Sequence, residues 1–146
     1  MSQRENAIGA LFAVLGQLSL GTSGTTVKRN AALPERVADQ AMAILRDGEM
    51  GEPEVSLSPL TYHWQHQVAI ELFVADADPA ARDARMDGLL TELAGLIEAD
   101  RTLGGVIEYA EIAPPKFDDL AADGSSGIKA CLLPVALHYS SSGPLN

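Results

Sequence analysis

The stretch HWQHQVAIELFV, residues 63 to 74, restricts the fold more than any other part of this chain. Tyr62, Trp64, His66, Val68, Ile70 and Leu72 alternate with His63, Gln65, Gln67, Ala69 and Glu71. Successive side chains on a strand point to opposite faces, so this period of two predicts a long amphipathic strand. Such a strand needs paired neighbours and a second layer over its apolar face. The same period decides what the histidines do. Residues i and i+3 on a strand face opposite ways, so His63 and His66 do not chelate one ion. His138 is the only other histidine, and zinc sites take three or four protein ligands. No metal is expected.

Helical spacing supplies the covering layer. Residues 2–19 read as a helix: Ser2 and Glu5 have capping-box spacing, and Ile8, Leu11, Phe12, Leu15 and Leu18 follow at helical intervals. A second, longer helix is predicted over about 78–100, with Asp78 as N-cap and Pro79 at the first helical position. Its apolar stripe is Met86, Leu89, Leu90, Leu93, Leu96 and Ile97, with Arg82, Arg85, Glu92 and Glu98 placed off it. Acids early in this helix are expected to suit its positive end.

The remaining segments read as strands and turns. GTSGTT, residues 21–26, lacks the Gly-Lys-Ser/Thr ending of a phosphate loop and reads as a turn into a strand at 26–30. Residues 31–51 admit a helix after Pro34 or a strand turning at Asp47-Gly48; the strand–turn–strand reading is preferred. Val55 and Leu57 alternate with Ser56 and Ser58, as in a half-buried strand over 54–60. A turn at Gly104-Gly105 leads to a strand over 106–112, then a loop over 115–127 containing Asp118, Asp119 and Asp123. The last strand, 128–140, puts Cys131, Leu133, Val135, Leu137 and Tyr139 on one face. Pro134 has no N–H for a ladder, which predicts an edge position or a bulge. Residues 141–146 read as a flexible tail. The expected architecture is a single α+β domain over 1–146, a mostly antiparallel curved sheet packed on the two helices.

At 146 residues with 47% hydrophobic and 21% charged side chains, the chain has enough apolar material for one core. No apolar run approaches the roughly 18 residues of a membrane span, and the polar Gln17 and Ser19 in the first helix argue against a signal peptide. Cys131 is the only cysteine, so neither an internal disulfide nor a cysteine zinc site is possible, and a reducing place of synthesis fits. Net charge is −10 and uneven: residues 1–46 hold five basic and three acidic side chains, while the rest hold five and 17. That asymmetry suits a solvated acidic surface, or head-to-tail packing of subunits.

Chemistry is hard to find. Cys131 lies mid-strand on an apolar face, where a thiol is inert. There is no G-x-S-x-G elbow, and Asp118, Asp119 and Asp123 lack calcium-loop spacing and its closing Glu. Glu108 and Glu111 fall on opposite strand faces. No catalytic residue and no cofactor are expected, and the chain is read as a non-enzyme.

The order of elements resembles a known family. A helix leads to a strand ending in Arg29-Asn30; EPEVSLSPLTYHWQHQVAIELFV supplies paired strands; ADPAARDARMDGLLTELAGLIEADRTLGG supplies the long helix; and IKACLLPVALHYSS closes the sheet. This is similar to tail-completion proteins of long-tailed bacteriophages, the tail terminators, in the versions found in prophages and gene-transfer particles of alphaproteobacteria. The resemblance implies a virion protein made in the bacterial cytoplasm. Six copies would form a ring on the head-proximal end of the tail tube, ending tube polymerisation and meeting the head–tail connector. DNA would pass through the ring unbound, past an acidic or neutral lumen, and no membrane is involved. Arg29, Arg36, Asp100 and Arg101 are candidate subunit-interface residues, chosen by charge and turn position. The alternatives are another neck or tail component, such as a connector or tube subunit, and a cytosolic enzyme such as an acyl transferase. For the last, no nucleophile or general base is visible.

Overall fold

The period-two stretch forms one strand, Thr61–Ala75, and everything else is arranged around it. The computed structural model describes residues 1–20, 23–24, 26–32, 41–119 and 127–146. In chain order the elements are α1 (Gln3–Leu15), β1 (Ser19–Leu20), β2 (Ser23–Gly24), β3 (Thr26–Arg29), β4 (Ala41–Glu49), β5 (Glu54–Ser56), β6 (Thr61–Ala75), α2 (Pro79–Ala99), β7 (Tyr109–Ile112), β8 (Lys116–Asp119) and β9 (Ile128–Ser141). The fold is α+β, with an open seven-stranded sheet that is antiparallel except where β3 runs parallel to β4.

β6 pairs with β9 from Tyr62↔Ser141 to Ala75↔Ile128. On its other side β6 pairs first with β5 and then with β4, and the far side of β9 carries β7 and β8. Alternate residues of the central pair face the helices. Trp64, Val68, Ile70, Leu72 and Val74 meet Cys131, Leu133, Val135, Leu137 and Tyr139 there. Ala7, Ile8, Leu11 and Leu15 of α1 close the core with Met86, Leu89, Leu93 and Ile97 of α2. Each large aliphatic side chain so buried contributes about 2 kcal/mol. Met42, Ile44, Phe73 and Ile128 form a smaller cluster apart from this core, on the opposite residues of the same strands.

The caps agree with the sequence. Ser2 Oγ accepts from the Glu5 N–H at 3.1 Å, and the Asp78 side chain accepts from the Ala80 N–H at 3.2 Å. α1 is shorter than its apolar periodicity: it stops at Leu15 with Gly16 as cap, although Leu18 is still buried.

Several expectations are corrected. Asp47-Gly48 is not a hairpin turn. β4 runs through it to Glu49, with a register shift between Arg46↔Ala69 and Glu49↔Gln67, a bulge of one extra residue. Gly48 has φ +63, and a Cβ there would lie 1.9 Å from the Gln67 carbonyl oxygen, so glycine is required. The predicted half-buried strand over 54–60 is the short, fully exposed β5, followed by turn residues. The predicted strand over 106–112 begins only at Tyr109, and the first part of the predicted 115–127 loop is β8. α2 has no acid in its first turn. Arg82 lies on the stripe rather than off it, at 6% exposure. Residues 33–40, where a helix was the competing reading, and 120–126 lie outside the described residues.

Pro134 sits at a bulge. Ile112 pairs with Val135 and Lys116 with Leu132, so Ala113-Pro114-Pro115 spans one more residue than the strand opposite. The Ala113 N–H donates to the Pro134 carbonyl at 3.0 Å. N–H and C=O of one strand residue point the same way. The donor that Pro134 lacks is therefore missing where the neighbouring strand is itself broken by two prolines.

Candidate assembly interfaces

Arg29, a candidate interface residue, makes its bonds within the chain. It ends β3, the strand laid on the outer side of β4, and its guanidinium reaches both ways from there. Nε and Nη2 donate to the two oxygens of Asp47 at 2.8 and 3.0 Å. Nη1 donates to Glu5 Oε1 of α1, and Nη2 to Glu5 Oε2 at 3.1 Å. The fork of one arginine thus joins α1, β3 and the β4 bulge through two carboxylates. Arg29 holds the carboxyls of Glu5 and Asp47 below their usual range, and they raise its own pKa in return. Asn30, with φ 51, accepts the Asp47 N–H on its Oδ1 at 3.1 Å.

The bulge reaches further, to His66. This residue is 1% exposed, and both ring nitrogens are bonded. Nε2 lies 2.6 Å from the Asp47 carbonyl oxygen. A carbonyl only accepts, so Nε2 carries the proton and Nδ1 accepts from the Tyr139 hydroxyl at 2.8 Å. Burial lowers the His66 pKa and pushes that of Tyr139 up to about 12. The sequence placed His66 on the inward face; its bonding partners depend on the bulge and on β9, which no local signal reveals.

Asp100 and Arg101 are also spent locally. Asp100 Oδ1 accepts the Thr102 hydroxyl at 2.6 Å and the Thr102 N–H at 3.1 Å, and Oδ2 accepts the Gly104 N–H at 2.8 Å. These bonds, the Thr102 hydroxyl first, hold its carboxyl below the usual range. Arg101 Nη1 donates to the Ala110 carbonyl at 3.3 Å. The turn carries Leu103 at φ 50 into the core, followed by Gly104 and Gly105 at φ 78 and 84. Gln3 Nε2 donates to the Val106 carbonyl at 2.6 Å, fixing the start of α1 to the far end of the turn. Arg36 lies outside the described residues. Of the three described candidates, Arg29 belongs to the β3 edge, and Asp100 and Arg101 to the turn after α2.

Two surfaces that sequence reading passed over stand out. The first is the β5–β6 hairpin, where Val55, Leu57 and Leu60 are 51%, 77% and 49% exposed. The second is a polar groove of about 380 Å3 lined by Glu52, Glu54, His63, Trp64, Gln65, Glu108 and His138. Its histidines have partners. His63 Nε2 lies 2.9 Å from Ser56 Oγ, and His138 stacks on Tyr109 at 4.2 Å with Nε2 3.3 Å from Glu111 Oε1. A serine beside a histidine is the first pair of a nucleophilic site, but Ser56 and His63 are exposed on a hairpin, open to water. Among the described residues, no three His, Cys, Asp or Glu side chains are placed to hold a metal ion. None of the described helices is long and apolar enough to cross a membrane.

No family model matches the chain, and no curated protein matches it. Among solved structures, it is similar to the sheath/tube terminator of an extracellular contractile injection system, PVC, determined by electron cryo-microscopy in the extended state. That alignment covers 94% of this chain and 56% of the other, at 12% identity and a TM-score of 0.43. The chain thus spans little more than half of that protein's length, and a likeness of this degree carries no functional weight.

Proposed function

We propose that the chain is a tail-completion protein of the terminator class: six copies form a ring on the head-proximal end of a tail tube, stop its growth and join it to the head connector. The observation that carries this reading is the order of elements in the sequence. A helix, a strand ending at Arg29, paired strands, one long helix, an Asp-Arg-Thr-Leu-Gly-Gly turn and a closing strand follow one another in an order that resembles that family. The internal use of the charged side chains fits a structural part. Arg29 and Asp100 hold elements together, and the ionisable groups buried in the sheet are bonded to backbone and to tyrosine. A ring of identical subunits needs two different, complementary faces on each copy. Among the described residues the sheet has two unlike sides, β3 on one and β7–β8 on the other, which fits that requirement. Carboxylates such as Glu108 and Glu111 stand on the second edge, and acids facing a ring lumen would keep DNA phosphates from adhering.

Native mass spectrometry of the purified chain, with negative-stain electron microscopy of the particles that contain it, tests the reading. A six-fold ring between tube and head is the expected result. Absence of the chain from assembled particles sinks it. A tube subunit is the second reading: a tube needs an extended hairpin to stack successive rings, and the short β5–β6 hairpin exposes Val55, Leu57 and Leu60. Copies of the chain in many stacked rings, rather than one, would select it.

A further inference from the structure

We propose that the β5–β6 hairpin is a docking peg for a different protein, one that presents an apolar socket edged by lysine or arginine. Seven large apolar side chains are exposed among the described residues, and three of them, Val55, Leu57 and Leu60, fall within six consecutive positions. Scattered apolar residues are ordinary on a surface, whereas a cluster at an exposed hairpin tip marks a contact.

The tip is built to hold its shape. Val55 pairs with Tyr62 and Ser56 with Thr61. Ser56 Oγ meets His63 Nε2 at 2.9 Å, and the Thr61 hydroxyl donates to the Pro59 carbonyl at 3.1 Å. Below the tip Tyr62 stacks on Trp64 at 6.3 Å, and the Trp64 indole N–H donates to Ser141 Oγ at 2.9 Å. A peg already ordered loses little conformational entropy when it is seated.

Charge identifies the occupant. Residues 47–63 contain no lysine or arginine. Glu49, Glu52 and Glu54 are exposed along the approach to the tip, and none is in an ion pair with a described residue. Two copies meeting tip to tip would bring six carboxylates together, on chains of net charge −10. The groove between α1 and α2 of a second copy is no better. It is lined by Ala10, Ala13, Val14, Leu96 and Ala99, with Asp100 the only charged side chain among the described residues there, and the apolar groove beside Phe117 sets Glu71 and Asp118 against Lys116. A basic-rimmed socket on another chain satisfies both the apolar tip and its acids. The inference does not depend on the terminator reading. Within that reading the hairpin contacts a neighbour outside the ring of identical copies.

The test replaces Leu57 with the photo-crosslinker p-benzoylphenylalanine in the full chain, made in its native host, with Thr91 on the exposed side of α2 as control position. Irradiation is expected to join position 57, and not 91, to a different protein at a segment containing lysine or arginine. The triple change Glu49→Lys, Glu52→Lys and Glu54→Lys is expected to abolish that product. With the captured protein purified, Leu57→Ser is expected to weaken binding about thirtyfold. Cross-linking to another copy of this chain overturns the proposal, as does a yield no greater than at position 91. A product that survives the charge reversal overturns it too.

Discussion

Nδ1 of His66 lies 2.8 Å from the phenolic oxygen of Tyr139, two residues 73 positions apart that meet across β6 and β9. The imidazole accepts this hydroxyl on one side and donates to the Asp47 carbonyl on the other, and only the neutral ring does both. Protonation would place a charge in the sheet and leave the buried hydroxyl to turn away from its acceptor. Because burial lowers the His66 pKa from 6.5, the unfolded chain takes up the proton first. Stability from this site is complete above the usual histidine pKa and is lost as pH falls through the lowered one. Urea unfolding between about pH 7 and pH 5.5 should show decreasing stability, and His66→Leu should flatten that slope. An unchanged slope in the variant would remove His66 as the cause. His66→Ala should cost about 3 kcal/mol at neutral pH, because it opens a cavity and strands two buried polar groups.

The β4 bulge gives a sharper contrast. Gly48→Ala puts a methyl 1.9 Å from the Gln67 carbonyl oxygen at a φ of +63. Gly51 has a similar φ of +72, with nothing within 4 Å of the added carbon. Gly51→Ala should cost only the backbone strain, about 1 kcal/mol, and Gly48→Ala about 3 kcal/mol or more. Thermal unfolding of the two variants side by side measures the difference. Equal losses would show that the bulge relaxes around the methyl.

Arg29 bridges two carboxylates at partial exposure, so salt and water screen it. Arg29→Met should cost about 1–2 kcal/mol at low salt and less at high salt. Glu5 and Asp47 have lowered pKa values because of this arginine, so their contribution is present above the usual carboxylate range and lost as pH falls through the lowered values. The variant should therefore lose part of the acid limb of its stability curve. An acid limb of wild-type steepness in Arg29→Met would count against the clasp.

Arg82 is a buried cation whose polar contact is Nη1 to the Asp76 carbonyl at 3.0 Å, with Nε unsatisfied. Arg82→Met keeps the stem packed and removes the unsatisfied donor. It should change stability by less than about 1 kcal/mol, in either direction. Chemical denaturation reads this directly, and a loss of several kcal/mol would show that the charge is satisfied in a way that the bond to Asp76 does not account for.

These sites also show what the sequence made legible. The alternation in β6 and the stripe of α2 were clear, because a single element carries each signal. Arg82 precedes Met86 by four residues, the same step that separates Leu89, Leu93 and Ile97, so spacing puts it on the stripe where its charge argues against it. Asp47-Gly48 reads as a turn in the sequence because glycine at positive φ serves turns and bulges alike. Only the continuation of β6 alongside separates the two. β8 carries no local signal, because Lys116–Asp119 has little strand character of its own and forms against the free side of β9. The sequence shows the charge of Arg29 but not its bonds to Glu5 and Asp47, which lie 24 and 18 residues away. Charge is visible in a sequence; who has already neutralised it is a tertiary fact.

The β6–β9 ladder has a consequence for the newly made chain. Its closest pair, Ala75 and Ile128, brackets α2, β7 and β8, so no short loop can nucleate it. Pairing over such separations is slow, on the order of milliseconds to seconds. Until residues 128–141 leave the ribosome, β6 has fifteen residues and only the β4–β5 side to pair with. Its other edge is a template for any extended segment nearby. Yield in a foreign host should therefore depend on translation speed and temperature more than on the stability of the finished fold. A chain cut before residue 128 should accumulate as aggregate even though both helices and the hairpin are intact.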